Sequence, residues 1–329
     1  MAFVTTSVED RSPIVLKLHH GIVSVTHCKE YKYLGSIFTS DGKVTSSMDK
    51  HCTAKTKDIN KLVIFLETNK NAPFKVKKTV VEACFNASFL YGCEAWLGVK
   101  PSPKMKSMYM KAIKMLLGVR QSTPNETCLI EAGYPSLETL IRQRQRRFFE
   151  RMVAERKDMT DDPLMFALQV TEQDNKVMHK YISDILGEVG DIEQNDLNKR
   201  KNRIMTSTQT KLSTYQKINP ALSVHPVYTS PNIVDDDLRV AFTRLRLTSH
   251  RLKVETGRWA RIPREERMCQ CGEGVQTEQH VLCDCTLVAS IREAYGNEGI
   301  INFENFMTTE KSKQDLTMIK NILKFYEDL

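Results

Sequence analysis

The sequence predicts a mainly α-helical chain with a short N-terminal β-sheet or hairpin, which is an α+β arrangement. Three observations support this class. Short β-branched runs occupy the first 42 residues, apolar residues recur at helical spacing through much of the remaining chain, and a dense Cys/His stretch lies near the C-terminus. We therefore expect a β segment, a bundle of helices and a small C-terminal module built around cysteines.

Two β-branched runs near the N-terminus predict a hairpin. They are IVLKL at residues 14–18 and IVSV at residues 22–25, and the residues between them, HHG at 19–21, suit a turn. The segment YKYLGSIF at residues 31–38 is a third extended candidate. The turn signal SDG at residues 40–42 ends it.

Helical patterns begin after residue 42. Apolar residues from Ile59 to Leu66 share one helical face, Pro73 opens a second segment, and Ser136 can cap a long basic helix. Residues 171–234 are polar and weakly periodic, which indicates a connector. The predicted segments are a β segment at 1–42, a helical domain at 43–170, a helical connector or linker at 171–234, and an Arg-rich helix, Cys/His module and C-terminal helix at 235–329.

The charge distribution points to a polyanion as partner. The net charge is +8 over 329 residues, but residues 1–160 carry 26 Lys and Arg against 15 Asp and Glu, whereas residues 161–329 carry 22 against 25. A basic half is typical of polyanion binding, and solvated lysine-rich helices are the alternative explanation. The sequence has no signal-peptide pattern and no long apolar run. We expect an intracellular protein, cytoplasmic or nuclear, with no membrane partner and no small-molecule substrate.

A cluster of potential metal ligands lies between residues 269 and 285. These 17 residues contain four of the nine cysteines, Cys269, Cys271, Cys283 and Cys285, together with His280. Four thiolate or imidazole ligands make the tetrahedral site that structural Zn²⁺ prefers, and clustered cysteines inside cells are more often metal ligands than disulfides. By spacing alone, Cys283 and Cys285 compete for the fourth position. The alternative is that these cysteines are small buried hydrophobic residues.

A strongly basic stretch directly precedes the cysteines. Residues 239–267 hold nine Lys and Arg and three acidic residues, with Trp259 among them. Arginines interleaved with an aromatic residue predict phosphate contacts and base stacking. Some of these arginines could instead brace the module through acidic neighbours such as Glu265 and Glu266. The predicted nucleic-acid contacts in this stretch are Arg244, Arg246, Arg251, Arg258, Trp259 and Arg261.

Two blocks of the chain resemble the reverse transcriptases of non-LTR (LINE-type) retrotransposons. The first, from about residue 22 to 167, includes YKYLGSIFTSDG at 31–42 and FLYGCEAW at 89–96. The second, at 238–290, includes LRLTSHRLKVETGRWAR at 245–261, followed by the Cys/His stretch. The resemblance implies a palm end with a primer grip, a helical thumb-like domain and a C-terminal CCHC zinc knuckle. The family spacing of the last His and Cys selects Cys269, Cys271, His280 and Cys285 as ligands.

The resemblance also implies which residues contact RNA or an RNA–DNA duplex. Tyr31, Tyr33 and Gly35 fall in the primer-grip segment. Basic side chains of the thumb-like helices would follow the phosphate backbone. They are Lys50, Lys55, Lys57, Lys75, Lys77, Lys78, Arg142, Arg144, Arg146 and Arg147.

Catalysis is not expected from this chain by itself. In the family that it resembles, aspartates on palm strands hold two Mg²⁺ ions, and that region would lie upstream of Met1. The run Asp235, Asp236 and Asp237 follows Pro231, and we interpret it as a helix cap. We therefore expect a truncated, non-enzymatic, zinc-containing nucleic-acid-binding chain. The alternatives are a protein-interaction or structural relic, and residual RNA-directed DNA polymerase activity only with a complementing palm domain.

Overall fold

Helices dominate the fold, and the strands lie in its N-terminal part. The structure, a computed structural model, describes residues 2–3, 12–19, 21–156, 176–187, 191–230, 235–296 and 302–329. Over these residues the chain is mainly helical, and all the named strands end before residue 40. The predicted α+β class, mainly α with a short N-terminal β region, is confirmed.

The strands form two small sheets. They are β1 (Ala2–Phe3), β2 (Ile14–Leu18), β3 (Gly21–His27), β4 (Glu30–Tyr33) and β5 (Ser36–Thr39). β2 pairs antiparallel with β3, so that Ile14 lies opposite Val25, and β1 pairs parallel with the other edge of β3. This confirms the first hairpin, although His20 of its turn lies outside the described residues.

The third extended candidate is a second hairpin rather than one strand. β4 and β5 pair antiparallel, and Tyr33 lies opposite Ser36. The two residues between the strands, Leu34 and Gly35, have φ angles of 47° and 90°. Positive φ at both central residues is the conformation that matches the twist of a two-residue hairpin. Gly35 adopts a positive φ readily. Leucine, at position 34, is not one of the residue types that normally signal such a turn.

Thirteen α-helices are present in the described part of the chain. Short 3₁₀ or π turns occur at Phe85–Phe89, Cys93–Ala95, Pro226–Tyr228, Arg264–Glu266, His280–Asp284 and Thr286–Val288. The α-helices are α1 (Val44–Thr68), α2 (Phe74–Cys84), α3 (Pro103–Leu117), α4 (Asn125–Ala132), α5 (Leu137–Arg156), α6 (Lys176–Leu186), α7 (Ile192–Met205), α8 (Thr210–Ile218), α9 (Asp236–Arg246), α10 (Lys253–Trp259), α11 (Ala289–Ala294), α12 (Phe303–Thr308) and α13 (Lys313–Asp328).

The chain divides into two compact units, each assembled from three stretches. Unit 1 comprises Met1–Lys61, Ala83–Tyr109 and Ser136–Asp196, and unit 2 comprises Leu62–Glu82, Met110–Pro135 and Leu197–Leu329. The four segments given above follow composition along the sequence and stay a prediction. Their boundary at residues 170 and 171 lies outside the described residues.

Unit 2 is built around the packing of α9 against α13. Phe242 and Leu245 of α9 and Ile319 and Ile322 of α13 are fully buried. Burial of side chains of this size stabilises a core by about 1.5–3 kcal/mol each. The C-terminal helix is therefore an integral part of unit 2, and this packing fixes the position of its last turn.

Two helix caps predicted from the sequence are present. The carboxylate of Asp235 accepts a hydrogen bond from the backbone N–H of Asp237 at 3.0 Å, which confirms that this aspartate run caps a helix. The hydroxyl of Ser136 accepts from the backbone N–H of Thr139 at 3.2 Å and caps α5. Each cap satisfies a backbone donor that has no partner within its own helix.

Candidate metal centre

A tight loop presents Cys269 and Cys271. The backbone N–H of Cys269 donates to the carbonyl of Gly274 at 2.7 Å, and the N–H of Gly272 donates to the carbonyl of Cys269 at 3.1 Å. Gly272 has φ of 79°, a left-handed conformation that disfavours residues with a Cβ. The loop therefore brings two sulfur atoms that are close in sequence onto one side of a folded-back chain.

A short helical turn, His280–Asp284, supplies the other two side chains. The N–H of His280 donates to the hydroxyl of Thr277 at 3.1 Å, and the N–H of Cys285 donates to the carbonyl of His280 at 2.8 Å. These bonds fix the start and the end of the turn. His280 and Cys285 consequently face the cysteine loop together.

The four side chains form a cluster that could hold a metal ion. One ligand atom from each of Cys269, Cys271, His280 and Cys285 lies within 4.8 Å of the others. Sγ of Cys269 is 3.7 Å from Sγ of Cys285, and Sγ of Cys271 is 3.2 Å from Nε2 of His280. Zn–S bonds of about 2.3 Å in a tetrahedron place sulfur atoms about 3.8 Å apart. The donor types and their spacing therefore fit a closed four-ligand site.

Cys283 lies outside this cluster. Its side chain is half-buried, and burial followed by the nearby Asp284 carboxylate raises the pKa of its thiol to about 11. Its sulfur is not among the four ligand atoms that lie within 4.8 Å of one another. Of the two cysteines that spacing left in competition, the geometry favours Cys285.

The surroundings of Cys269 favour its thiolate. Burial raises the pKa of this thiol, but hydrogen bonds from the Cys271 backbone and the Tyr326 hydroxyl outweigh burial and lower the pKa to about 6. A thiolate accepts these hydrogen bonds more strongly than a thiol does, so they favour the deprotonated form. Burial, together with hydrogen bonds to Cys269 and Cys285, raises the pKa of the neighbouring Cys271 thiol to about 11, so without a cation the cluster favours a thiolate at Cys269 rather than at Cys271.

Three hydrogen-bond donors outside the four ligand residues point at their sulfur atoms. The Tyr326 hydroxyl donates to Sγ of Cys285 at 2.8 Å, the Gln276 amide lies 3.8 Å from Sγ of Cys269, and the Glu273 backbone N–H lies 3.4 Å from Sγ of Cys271. Sequence reasoning did not identify Tyr326 or Gln276. Tyr326 is far from the cysteines in the sequence and belongs to α13, so no local pattern signals it.

Replacing Tyr326 by Phe is expected to weaken zinc binding about 10- to 100-fold, the effect typical of partners that orient metal ligands. The substitution removes a hydroxyl that contacts Cys285 and keeps the buried aromatic ring. Competition with a coloured chelator measures the change in zinc affinity.

Tyr295→Phe is the matched control for this prediction. The hydroxyl of Tyr295 accepts from Asn321, which also belongs to α13, at 2.9 Å. Zinc affinity should stay at the wild-type value in this variant. Equal losses in both variants would show that general loosening of α13, rather than the contact with Cys285, explains the effect.

The cysteine loop is hydrogen-bonded to the start of α10. The side chain of Gln276 accepts from the backbone N–H of Lys253 at 2.7 Å, and the carbonyl of Gln276 accepts from the N–H of Val254 at 3.3 Å. The Arg267 guanidinium donates to the carbonyl of Val254 at 2.8 Å. The loop that carries the ligands therefore orients α10.

An exposed tryptophan ends α10. The Trp259 side chain is 54% exposed, and the guanidinium of Arg120 lies 4.4 Å from the centroid of its ring. Arg244, Arg251 and Arg261 are exposed in the same unit. Arg258 is half-buried, and its Nη1 lies 2.9 Å from a Glu255 carboxylate oxygen. Most of the basic residues predicted before the cysteines are thus accessible to a polyanion.

Arg246 is a correction to the predicted nucleic-acid contacts. Its guanidinium is 1% exposed and donates to a carboxylate oxygen of Glu131 at 2.7 Å and to the carbonyl of Met307 at 2.5 Å. An arginine held in this way has no surface to offer a phosphate. It stabilises the interior of unit 2 instead.

Lys77 is a second correction. Its side chain is buried, and its ammonium contacts the carboxylate of Asp236 at 2.5 Å and the carbonyl of Lys70 at 2.6 Å. Lys78 is half-buried and donates to the carbonyl of Ala132 at 3.1 Å. Lys75 is exposed. Of the three predicted lysines of α2, Lys77 therefore belongs to the core.

In unit 1, Tyr31 and Tyr33 are exposed on β4, and Gly35 lies in the turn that follows. Lys57 of α1 is exposed. Two further lysines pair with carboxylates near the surface. They are Lys50, 2.8 Å from Glu30, and Lys55, 3.7 Å from Asp58. Their contacts with nucleic acid stay a prediction.

The basic helix α5 uses much of its charge within unit 1. Three of its four predicted arginines donate to neighbouring groups, and Arg147 is exposed. The bonds are Arg142 to the carbonyl of Asp184 at 3.2 Å, Arg144 to the carbonyl of Asn86 at 2.9 Å, and Arg146 to the carboxylate of Glu150 at 2.7 Å. These arginines brace the helix even if they also contact a ligand.

Comparison with models of protein families, with curated proteins and with solved structures finds no match to this chain. The resemblance to non-LTR reverse transcriptases therefore rests on the sequence blocks quoted above. Among the described helices, none combines the length and the apolar character that crossing a membrane requires.

Proposed function

We propose that this chain is a zinc-containing nucleic-acid-binding protein that acts on RNA or an RNA–DNA duplex and has no polymerase activity by itself. One observation carries the proposal. Gln276, in the segment that carries the Cys/His cluster, is hydrogen-bonded to the start of the helix that ends in exposed Trp259, and exposed arginines lie in the same unit. This combination supplies phosphate contacts and a stacking surface.

Zinc fits the cluster better than other common cations do. Three thiols and an imidazole are soft or borderline ligands, whereas Mg²⁺ and Ca²⁺ prefer oxygen. All four positions of a tetrahedron would be filled by Cys269, Cys271, His280 and Cys285, so no position is open to a substrate or water. We therefore assign the site a structural role.

The proposal that the chain is not a polymerase by itself rests partly on the aspartate run. Asp235 caps α9, and the carboxylate of Asp236 is buried between Lys77 and Arg239. Carboxylates used in this way do not suit two Mg²⁺ ions. Template-dependent incorporation in a primer-extension assay with an RNA template would contradict the proposal.

Binding to single-stranded RNA should weaken steeply as salt increases. Each phosphate contact releases condensed counterions, so 6–10 contacts lose about three to five decades of affinity between about 50 and 200 mM salt. The anisotropy of a labelled RNA, titrated with the full chain at several salt concentrations, measures the slope. Labelled DNA and an RNA–DNA duplex, titrated in parallel, establish which nucleic acid is preferred.

Two variants sharpen this test. Arg251→Gln removes an exposed cation and should reduce the salt slope by about 1. Lys100→Gln, an exposed lysine in unit 1 outside the predicted contacts, is the matched control and should leave the slope unchanged. An affinity that does not depend on salt, or no binding at low salt, would contradict the proposed function.

A further inference from the structure

A buried carboxylate in unit 2 draws two basic side chains together. Glu255 lies in α10 with its side chain 1% exposed. Nη1 of Arg258 lies 2.9 Å from one of its oxygens, and Nζ of Lys211, in α8, lies 4.0 Å from the other. Lys211 also donates to the carbonyl of Ser122 at 3.1 Å. One carboxylate therefore holds two cations that are far apart in the sequence.

A third cation joins them through Trp259. Arg120 follows α3, and the hydroxyl of Ser249 accepts a hydrogen bond from its backbone N–H at 2.9 Å. Its guanidinium stacks on the indole of Trp259 at 4.4 Å. The guanidinium contacts one side of the ring. Trp259 is nevertheless more than half exposed, so the rest of the indole is open to solvent.

Several polar atoms of this group have no hydrogen-bond partner. They are Nη1 of Arg120, Nε and Nη1 of Arg258 and Oε1 of Glu255. The short approach of Arg258 to Glu255 is thus an ion pair without hydrogen-bond alignment. Buried donors without partners are costly, so native structures normally supply water, an ion or a ligand for them.

The group also carries more positive than negative charge. Burial lowers the pKa of Arg120, and repulsion by Arg251 and Arg244 lowers it further, against the attraction of Glu255. Burial likewise lowers the pKa of Lys211; the attraction of Glu255 opposes this shift, and the repulsion by Arg258 adds to it. Cations arranged so that they repel one another gain from an anion placed between them.

We propose that Arg120, Lys211, Arg258 and Trp259 form a nucleotide-binding site. It takes a phosphate of a single strand on the cations and an unpaired base on the exposed part of the indole. The inference rests on the proposed function and deepens it, since it locates the site and names unpaired nucleotides as its ligand. Glu255 is a positioning residue that holds Lys211 and Arg258.

Each part of the site matches one part of the ligand. Guanidinium groups form paired hydrogen bonds with phosphate oxygens, and the side chains of Arg120 and Arg258 are half-buried, so part of each is open to solvent. An aromatic ring stacks on any base, so the site would accept sequences of every kind. The bases of a duplex are already stacked on one another, which makes an unpaired strand the better ligand.

The test uses the full chain with zinc, a short single-stranded oligoadenylate and the corresponding abasic oligomer. Trp259→Ala should weaken oligoadenylate binding about fivefold or more. It should have little effect on the abasic oligomer, which offers phosphates without bases. Arg120→Met and Lys211→Met should each lower the affinity for both ligands and reduce the salt slope by about 1.

Arg264→Met is the matched control, because this arginine is exposed and belongs to the same basic stretch. It should retain wild-type affinity for both ligands. Thermal unfolding followed by circular dichroism should give a wild-type midpoint for Trp259→Ala. Lys211→Met should stay folded at the assay temperature even where its midpoint falls, because Arg258 still pairs with Glu255, so lost binding is not lost folding.

Two results would overturn the inference and are distinguishable. If the wild-type chain binds RNA with a normal salt slope but the Arg120, Lys211 and Trp259 variants bind equally well, the site is wrong and the proposed function stands. If the wild-type chain binds no nucleic acid at low salt, both fail.

Discussion

Replacing Glu131 by Ala is expected to lower the free energy of unfolding of the chain by about 3–5 kcal/mol, because the change leaves a buried guanidinium without its counter-ion. The side chains of Glu131 and Arg246 are 0% and 1% exposed, and two nitrogens of Arg246 donate to the same oxygen of Glu131. Urea unfolding followed by tryptophan emission measures the change.

A double-mutant cycle separates the ion pair from simple loss of packing. Arg246→Met alone should also destabilise the chain, since it leaves the carboxylate buried and unpaired. The double variant Glu131→Leu/Arg246→Met should recover much of the loss, because apolar side chains of similar volume carry no desolvation penalty. Additive losses in the double variant would contradict a direct interaction between Glu131 and Arg246.

Cys285→Ser is expected to remove the zinc, from one ion per chain in the wild type to none after gel filtration. Its sulfur atom lies 3.7 Å from Sγ of Cys269 and receives the hydrogen bond of Tyr326, so it is central to the cluster. Serine is a poor zinc ligand, and a structural zinc site contributes directly to folding. Elemental analysis of the purified proteins measures the zinc content.

Cys283→Ser is the matched control for that prediction. Cys283 is half-buried and lies outside the cluster, so this variant should keep one zinc per chain. The opposite outcome, zinc lost with Cys283→Ser and kept with Cys285→Ser, would contradict the proposed ligand set.

Much of the fold and of the metal centre could be predicted because the signals are local. The spacing of Cys269, Cys271, His280 and Cys285 is set by a turn and a short helical segment, both of which depend on neighbouring residues. The cap at Asp235 is local in the same sense. Whether the turn, the short helical segment and the cap form depends little on how distant segments pack.

Charge alone did not reveal that these basic residues are buried, although their helical spacing relative to apolar residues gave a partial signal. Arg239 and Arg246 lie on the same helical face as Phe242, at spacings of three and four, and that face packs into the core. Lys77 lies between Phe74 and Val81 in the same way. A basic residue within an apolar stripe indicates a buried ion pair, but only tertiary structure reveals its partner.

Contacts between distant segments gave no signal in the sequence. The packing of α13 within unit 2 brings Tyr326 to Cys285, and the packing of α8 in the same unit brings Lys211 to Glu255. The turn at Leu34 and Gly35 was missed for a different reason. Leucine seldom adopts positive φ, so nothing in the pattern divided that segment into two strands.

The central claim is that the zinc centre holds α10 so that Trp259 can bind nucleic acid, and the emission of Trp259 tests it most directly. The variant Trp96→Phe removes the second tryptophan. With zinc bound, oligoadenylate at low salt should quench this emission. After zinc is removed by a chelator, or in Cys285→Ser, the quenching should disappear. Absence of quenching with zinc bound, or equal quenching with and without zinc, would contradict the account.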